Sequence, residues 1–474
     1  MANPASAGII VDWEPEDTDS GNPLNWPKRK KWANVVVISA MSFLVPLVST
    51  MLAPAVPLVM KDFNTTSTTF QTFCVSIFVL GFASGPLLLA PLSELYGRVI
   101  VYHVTNILFL SFTIMCALSS NQGMLLAARF LSGFAGVASM TIGSGTIADM
   151  MPKEQRGRAV AVWSLGTILG PMVGPIVGGH VAERYGWRWM FWILAMLIGL
   201  VTHIAFVILR ETNHSVLLER RAAALRKSTG NLAYRSALAP TITPVEHFKL
   251  AITRPTKMIV FCPVVTICCL YVALLYSIMF LLFTTYSYVF QEVYHFMTSS
   301  IGLVFIAGAV GTLIGIPYVG GISDRTLKQR MALGKTLTPE DRLPLVITLP
   351  GSLAFPIGVF IYGWSAEAKM QWIVPQIGTG IMGFGAILMF IAIQTYLMDA
   401  FEEYAASAVG ASAVLRGVAA ALVPLGAMDL YQRLGLGWGN SLLGFLALGF
   451  APVPMLLGAY GHKIRELEKF KVRL

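Results

Sequence analysis

Few charged residues interrupt the long apolar runs of this chain, and those few are the residues most able to do chemistry. Arg129 and Arg416 fall inside apolar runs, and Asp149 and Asp399 stand at the ends of two runs. Near the middle of a bilayer a buried arginine costs at least ~2.5–3.5 kcal/mol unless it finds an acceptor or a water-filled space. Each arginine is therefore expected to face a cavity or an acceptor, and each aspartate is a candidate proton carrier.

Two polar loops recur at the same point of each half of the chain. Residues 90–98 follow the second apolar run, and residues 320–325 follow the eighth. Each loop places an acidic residue four positions after a small one, so the halves look like distant copies. Repeated halves with a site at their interface are typical of secondary transporters. The candidate residues are Glu94, Gly97 and Arg98 in the first loop, and Asp324 and Arg325 in the second.

Apolar helices must position these residues. Only 12% of the 474 residues are charged and 55% are hydrophobic, whereas a soluble domain carries about twice that charged fraction. Each apolar run is close to the ~20 residues that a helix needs to cross a bilayer, and at this length only helices satisfy their own backbone groups in lipid. The predicted spans are 33–56, 70–92, 99–119, 124–148, 157–181, 188–209, 258–283, 300–320, 344–364, 371–396, 405–428 and 438–460.

The predicted fold class is an all-α membrane protein with twelve transmembrane helices in two pseudo-symmetric six-helix bundles. Residues 1–27 are polar and acidic, which predicts disorder, and residues 219–227 predict a short helix on the membrane surface. The predicted domains are an N-terminal arm (1–32), a first bundle (33–210), a central loop (211–257), a second bundle (258–461) and a tail (462–474).

The net charge of +10 follows from membrane topology. If both termini lie in the cytoplasm, 27 of the 34 lysines and arginines fall on that side, five on the other and two inside spans. This split agrees with the positive-inside rule and with contact with anionic lipid, so no nucleic-acid partner is predicted. Asn64, in the sequence Asn-Thr-Thr on the opposite side, is a candidate glycosylation site.

The fifth span carries an unusual series of small residues. Glycines recur there every four positions, and two prolines remove backbone donors and bend a helix. Helices associate in lipid by close backbone approach, which small residues permit. The series therefore predicts a helix that packs tightly against a neighbour and kinks. Its residues are Gly166, Gly170, Pro171, Gly174, Pro175, Gly178 and Gly179.

Several longer motifs resemble one family. Residues 91–98 read PLSELYGR and residues 129–136 read RFLSGFAG, and the fifth span carries the glycine-proline series. These resemble the loop, arginine and antiporter signatures of the major facilitator superfamily, in the form of its fungal twelve-span drug:proton antiporters. The departures are Ala90, where the superfamily usually has glycine, and Glu94 and Leu95, where it usually has Asp-Arg. Further matches lie at 22–32, 186–192, 339–344 and 396–399.

The resemblance implies roles for several residues. Glu94, Gly97, Arg98 and Asp149 would form a charge relay that latches the bundles in an outward-facing state, with Asp324 and Arg325 as a weaker second copy. The alternative is that these are ordinary interfacial charges. Arg129 would serve proton coupling or, alternatively, hold the backbone carbonyls of a kinked helix. No carboxylate lies in the middle of the first six spans, so Asp149 and then Asp399 are the candidate coupling acids.

A substrate cavity is expected between the bundles, with one face each of spans 1, 4, 7 and 10 in its wall. An apolar pocket with few polar anchors suits amphipathic or aromatic molecules, although an aromatic residue in a span often serves only helix packing. The candidate lining residues are Ser42, Ser49, Thr50, Ser139, Thr141, Tyr271, Tyr276, Phe280, Gln394 and Tyr396.

The predicted function is export of small organic molecules in exchange for protons by alternating access, by a monomer at the plasma membrane. The alternatives are a proton-coupled permease for polyamines or another nutrient, a sensor on a transporter scaffold and, last, a membrane enzyme. No cofactor or metal is predicted, because the five cysteines form no CxxC pair and the seven histidines show no ligand spacing. The expected partners are a small-molecule substrate, protons and the lipid bilayer.

Overall fold

A computed structural model describes residues 9–13, 19–238, 243–334, 338–401 and 404–466. Long, mostly apolar helices follow one another and are joined by short loops. In lipid, each backbone N–H and C=O group must be bonded within its own segment, which makes helices of this length the expected result of the composition.

The first half of the chain forms six crossings, two of which are divided. In the first crossing, α1 (Lys28–Met51) and α2 (Val56–Asp62) are joined by a 3-10 turn at Ala53–Ala55, where Pro54 removes a backbone donor. The fourth crossing consists of α5 (Gln122–Gly136) and α6 (Ala138–Met150). The other crossings are α3 (Thr68–Tyr96), α4 (Arg98–Ala117), α7 (Lys153–Tyr185) and α8 (Trp187–Ile208).

The connector between the halves is folded and binds part of the N-terminal arm. Its helix α9 (His214–Thr229) begins after Asn213, whose side chain accepts two backbone hydrogen bonds of the first turn. Strand β1 (Ile9–Val11) of the arm pairs in parallel with β2 (Tyr234–Ser236) of the connector. The prediction of disorder over residues 1–27 is therefore wrong for β1, because the arm finds backbone partners more than 200 residues away.

The second half begins after a break in an apolar stretch. Helix α10 (Pro244–Phe261) ends one residue before α11 (Pro263–Glu292) begins. The predicted seventh span, 258–283, thus joined the end of one helix to the next, because the residues on both sides of the break are apolar. The remaining helices are α12 (Thr298–Ala332), α13 (Leu345–Glu367), α14 (Ile373–Ala400), α15 (Ala405–Leu422), α16 (Ala427–Phe450) and α17 (Val453–Glu466), with 3-10 turns at Pro339–Arg342 and Val423–Gly426.

Eleven stretches of the described residues are long and apolar enough to cross a membrane, and the last contains two crossings. Ser407–Ile464 has 58 residues, which as one straight helix would be about 87 Å long, far beyond the ~30 Å of hydrocarbon in a bilayer. Gly435 interrupts it with φ 73° and ψ 177°. Beyond the break, the Glu367 carboxylate accepts hydrogen bonds from the N–H groups of Leu436 (2.7 Å) and Gly437 (3.2 Å). The described residues therefore make twelve crossings, as predicted.

The crossings form two six-helix bundles. Helix α3 packs against α15, and α7 packs against α12. Two hydrogen bonds also join the bundles: the Ser287 hydroxyl donates to the Ala53 carbonyl (2.8 Å), and the Ser299 N–H donates to the Glu183 carboxylate (2.7 Å). Both lie toward the face opposite the connector. We call this the distal face, and the face that carries α9 and α10 the connector face.

The glycines of α7 bring this helix against α1, within its own bundle. At each of four glycines an added Cβ would lie 2.1–2.6 Å from an atom of α1; the four are Gly166, Gly170, Gly174 and Gly178. Gly179 instead faces α12, where its Cβ would lie 2.6 Å from the Thr298 carbonyl oxygen. Gly302 of α12 approaches the Pro175 carbonyl oxygen in return, at 2.2 Å from an added Cβ. Most of the series thus serves packing within the first bundle, and its end serves contact between bundles.

Candidate substrate cavity and charge clusters

A cavity of about 370 Å³ lies between the two bundles. Its wall comes from α1, α3, α6 and α7 on one side and from α11, α12, α14 and α15 on the other. Most of the wall is apolar, with aromatic rings that include Phe280, Phe283 and Phe390. A pocket of this volume and composition suits a compact organic molecule.

Polar groups are few in the described wall, and one of them is charged. Arg416 of α15 lines the cavity, and its guanidinium carbon lies 4.5 Å from the ring centre of Tyr276 and 5.0 Å from that of Phe390. Cation–π attraction at these distances holds the side chain against the two rings, whose centres lie 5.4 Å apart. The other polar side chains of the described wall are Ser49, Thr50, Thr167, Thr312, Tyr276 and Tyr286.

Arg129, the other arginine inside a span, is absent from the cavity wall. Its side chain is fully buried, and its guanidinium donates hydrogen bonds to the carbonyls of Val48 (2.8 Å), Ser49 (2.9 Å) and Cys74 (3.1 Å). The first two carbonyls belong to the last turn of α1, where a helix leaves its carbonyls without an internal partner. Arg129 therefore ties α5 to α1 and α3, which is the geometry expected of an arginine that holds backbone carbonyls.

A first charge cluster joins α3, α4 and α6 at the connector face. Arg98 Nε lies 3.2 Å from Asp149 Oδ2, and Arg98 Nη1 donates to Ser93 Oγ (2.8 Å). The connector covers this pair, because the Thr212 hydroxyl donates to the Asp149 carboxylate (3.4 Å) and His214 Nε2 lies 2.8 Å from the Asp149 carbonyl oxygen. Only 14% of the Arg98 side chain and 18% of the Asp149 side chain are exposed, so the pair is only weakly screened by water.

Glu211 of the connector organises the start of α4. Its carboxylate accepts hydrogen bonds from the N–H groups of Arg98 (2.9 Å), Val99 (3.2 Å) and Asn213 (2.9 Å). The first two are unpaired donors of a helix N-terminus, where a negative charge is favourable. Gly97 has φ +104°, and a Cβ there would lie 2.4 Å from a Glu211 oxygen. The glycine thus leaves room for a carboxylate that comes from a distant part of the sequence.

A second charge cluster repeats the first one in the other half. Arg342 Nε lies 2.6 Å from Asp399 Oδ2, and Arg342 Nη1 donates to Ser323 Oγ (3.4 Å). These residues stand at the ends of the eighth, ninth and tenth crossings, as those of the first cluster stand at the ends of the second, third and fourth. The second pair is more open, with 27% of the Arg342 side chain and 41% of the Asp399 side chain exposed.

Comparison with known proteins identifies the family to which this two-bundle chain belongs. The sequence profile of the Major Facilitator Superfamily matches residues 38–424. The chain belongs to this superfamily. The efflux pump radE of Floropilus chiversii is 46% identical over 468 residues, which cover 98% of this chain and 86% of the relative. The MFS-type transporter penM of Penicillium rubens is 47% identical over 463 residues, which cover 98% and 91%.

The solved structures of the superfamily agree on the fold. The inward-open xylose transporter XylE of E. coli superposes with a TM-score of 0.63 at 15% identity, over 90% of this chain and 95% of the XylE chain. The predicted family and fold class are therefore confirmed. This member of the Major Facilitator Superfamily is a multi-pass membrane transporter and not an enzyme.

Of the lining residues predicted for this transporter, Ser49, Thr50, Tyr276 and Phe280 line the cavity. Ser42 instead accepts a hydrogen bond from Trp163 Nε1 (2.8 Å), and Gln394 Nε2 donates to Ser412 Oγ (3.4 Å). The remaining predicted residues also lie outside the wall; they are Ser139, Thr141, Tyr271 and Tyr396. Sequence reasoning missed the contributions of α3, α7, α12 and α15, because a wall residue and a helix-packing residue are equally apolar.

The predicted relay residues are only partly brought together. Gly97, Arg98 and Asp149 meet in the first cluster, whereas the Glu94 side chain is exposed and its backbone carbonyl accepts a hydrogen bond from Asn213 Nδ2 (3.2 Å). In the second half Arg325 is exposed on α12, and the side chain of Asp324 lies outside the described residues.

Sequence reasoning missed two residues of the clusters. Arg342, and not Asp324 or Arg325, is the residue that pairs with Asp399 among those the structure describes. The sequence pointed to Arg342 only through segment 339–344, one of the motifs that resemble the family. Glu211 carried no signal at all, because its function depends on contacts across more than 100 residues.

Proposed function

We propose that this transporter exports small organic molecules from the cytosol in exchange for protons by alternating access. The observation that carries the proposal is the apolar cavity between two bundles that touch at the distal face, through Ser287 with Ala53 and Ser299 with Glu183. A site between two bundles changes its access when the bundles tilt, and a ligand or a proton shifts the balance between the states. The name of the efflux pump radE supports export as the direction.

We propose that the connector face lies in the cytoplasm and that the membrane is the plasma membrane. The support is the charge distribution, since the loops and termini that the sequence assigns to that side hold 27 of the 34 lysines and arginines. On this topology Asn64 is extracellular, and its exposed side chain in the loop between α2 and α3 is a proposed glycosylation site.

The proposed coupling acids are Asp149 and, second, Asp399. Each pairs with an arginine at a connector-face cluster, so a proton bound to the carboxylate removes the charge that holds the pair. Loss of a charge-assisted hydrogen bond of this kind changes a two-state balance by ~1–3 kcal/mol. The role of Arg129 in proton coupling stays a prediction, and its three carbonyl contacts support a structural role.

The cavity disfavours the polyamine permease considered from the sequence. Among the described residues of its wall, none is acidic and one is basic. A polyamine needs several carboxylates to replace its hydration, whereas apolar and aromatic side chains suit an organic molecule with a large apolar body.

The test is transport in yeast cells that lack their main drug pumps and express the full chain. The cells are loaded with Nile red, rhodamine 6G or 1-pyrenebutyrate, and release is followed by fluorescence after glucose is added. We expect several-fold faster release of at least one probe than from vector cells, and loss of that difference with a protonophore. The Asp149→Asn variant at equal expression lacks the first proposed coupling acid, and we expect it to lose most of the difference. Release that persists without a proton gradient, or net uptake, contradicts the proposal.

A further inference from the structure

The proposed export function leaves one group of the cavity unexplained, the Arg416 guanidinium. It is the one charged side chain in the described wall, and it makes no hydrogen bond or ion pair with any described residue. A guanidinium carries five N–H donors and keeps its charge at any accessible pH. Its guanidinium carbon lies over the rings of Tyr276 and Phe390, and these contacts use no hydrogen-bond acceptor. Its N–H donors therefore stay available to an occupant of the cavity.

Arg129 shows how this chain treats an arginine that serves packing. Its donors point at three backbone carbonyls, and its side chain is fully buried. Arg416 lies in a comparable apolar span but has no such acceptors among the described residues. An arginine without acceptors is costly in an apolar environment, so its place in the wall points to a group that binds a ligand.

The surroundings of Arg416 define the chemistry of that ligand. A carboxylate or another planar oxyanion matches the guanidinium fork with two parallel hydrogen bonds, and such a pair strengthens where water is excluded. A cationic ligand would meet a positive charge with no carboxylate in the described wall to offset it. The rings of Phe280 and Phe283 offer faces for an apolar or aromatic body.

We propose that the molecules bound and carried by this transporter are organic anions, with an apolar or aromatic body in the cavity and a carboxylate or similar oxyanion on Arg416. The proposal rests on the proposed function, because it names the substrate class of the same cavity. It concerns binding alone, so it depends neither on the direction of transport nor on protons.

The test compares three probes that share one aromatic body and differ in charge: 1-pyrenebutyrate, 1-pyrenebutanol and 1-pyrenebutylamine. The purified full chain in nanodiscs of neutral lipid is titrated with each probe at pH 7, and energy transfer from tryptophan to pyrene is measured against empty nanodiscs. We expect the anion to bind about tenfold or more tightly than the alcohol, as charge-assisted hydrogen bonds imply, and the amine to bind most weakly. Equal affinities, or no binding of the anion, overturn the proposal.

Three variants locate the effect. Arg416→Met is expected to remove the preference for the anion, and Arg416→Lys to keep part of it, because the charge remains without the planar fork. Arg433→Met is the matched control, since Arg433 is an exposed arginine outside the cavity wall, and it should leave the ratio of affinities unchanged. A preference that survives in Arg416→Met overturns the proposal. If that variant does not fold, the wild-type ratio and Arg416→Lys decide.

The two proposals fail separately. If yeast cells show no energised release but the anion is still preferred in nanodiscs, the proposal of export is rejected and the proposed substrate class stands. If yeast cells release the neutral or cationic probe when energised but the anion is not preferred in nanodiscs, the proposed substrate class is rejected and the proposal of export stands.

Discussion

The two halves of the molecule carry the same serine–arginine–aspartate cluster in different surroundings. In the first half the connector covers the pair of Arg98 and Asp149, which are 14% and 18% exposed. In the second half Arg342 and Asp399 are 27% and 41% exposed. Ion pairs that water reaches contribute little, whereas covered ones contribute more. The repeat thus places the same residue types in both halves. Because the connector covers only the first cluster, we expect the interaction energies of the two ion pairs to differ.

The two arginines inside spans form a second contrast between the halves. Arg129 in the first half is buried with three carbonyl acceptors, whereas Arg416 in the second half lies in the cavity wall against two rings. One arginine holds helices together, and the other is available to a ligand. We therefore expect substitutions of Arg129 to change stability and substitutions of Arg416 to change binding.

The largest effect expected from this contrast is that of Arg129→Met. It leaves three buried carbonyls without a donor, and each unsatisfied buried group costs ~1–3 kcal/mol. We therefore expect the free energy of unfolding to fall by more than ~3 kcal/mol. Arg416→Met, the matched variant, should cost under ~1 kcal/mol because no hydrogen bond is lost. A thiol-reactive dye measures the melting temperatures, since all five cysteines are buried. Equal melting temperatures for the two variants would remove the contrast.

The next effect is that of Gly178→Ala on packing in the first bundle. The added Cβ would lie 2.1 Å from the Met51 carbonyl oxygen, and overpacking of this kind costs ~1–3 kcal/mol. Gly199→Ala on α8 is the control, because its nearest neighbour would be 3.9 Å away. The same dye assay should show a lower melting temperature for Gly178→Ala alone. A stable Gly178→Ala protein would mean that α1 and α7 are not in tight contact.

A smaller effect separates the two charge clusters. Double-mutant cycles with Arg98→Gln and Asp149→Asn, and with Arg342→Gln and Asp399→Asn, measure each pair by itself. We expect a coupling energy of ~1–2 kcal/mol for the covered pair and less than ~1 kcal/mol for the open one. Chemical unfolding in detergent provides the free energies. A larger coupling in the second half would contradict the argument from burial.

The smallest effect is that of Glu211→Gln. The variant keeps one acceptor oxygen, which can still accept from the N–H groups of Arg98 and Asn213, but loses the acceptor of the Val99 N–H. It also loses the charge at the start of α4, which is worth ~0.3–1 kcal/mol at a helix N-terminus. Glu219→Gln on α9, which removes a carboxylate of the same connector that is 46% exposed, is the control. The change in melting temperature between low and high salt should be smaller for Glu211→Gln than for the wild type. An unchanged salt dependence would show that this charge does not matter.

Part of the candidate site was predictable from the residues. Arg98, Gly97 and Asp149 meet as the motif indicated, and Ser49, Tyr276 and Phe280 line the cavity. Glu211 was not predictable, since it reaches Arg98 across 113 residues. The wall of the cavity was only partly predictable, because residues that face an apolar cavity and residues that face a neighbouring helix have the same composition.

The sequence by itself determined the number of membrane crossings, because lipid requires apolar runs of a set length and leaves helices as the one way to satisfy the backbone. The motifs determined the family. The tertiary structure alone decided which arginine bonds to backbone carbonyls and which lines the cavity. It also decided that the connector covers the first charge cluster. Arg129 and Arg416 look alike in the sequence, each being a lone cation in an apolar run. Their difference arises from the acceptors that other helices bring to them, and those contacts join residues far apart in the chain.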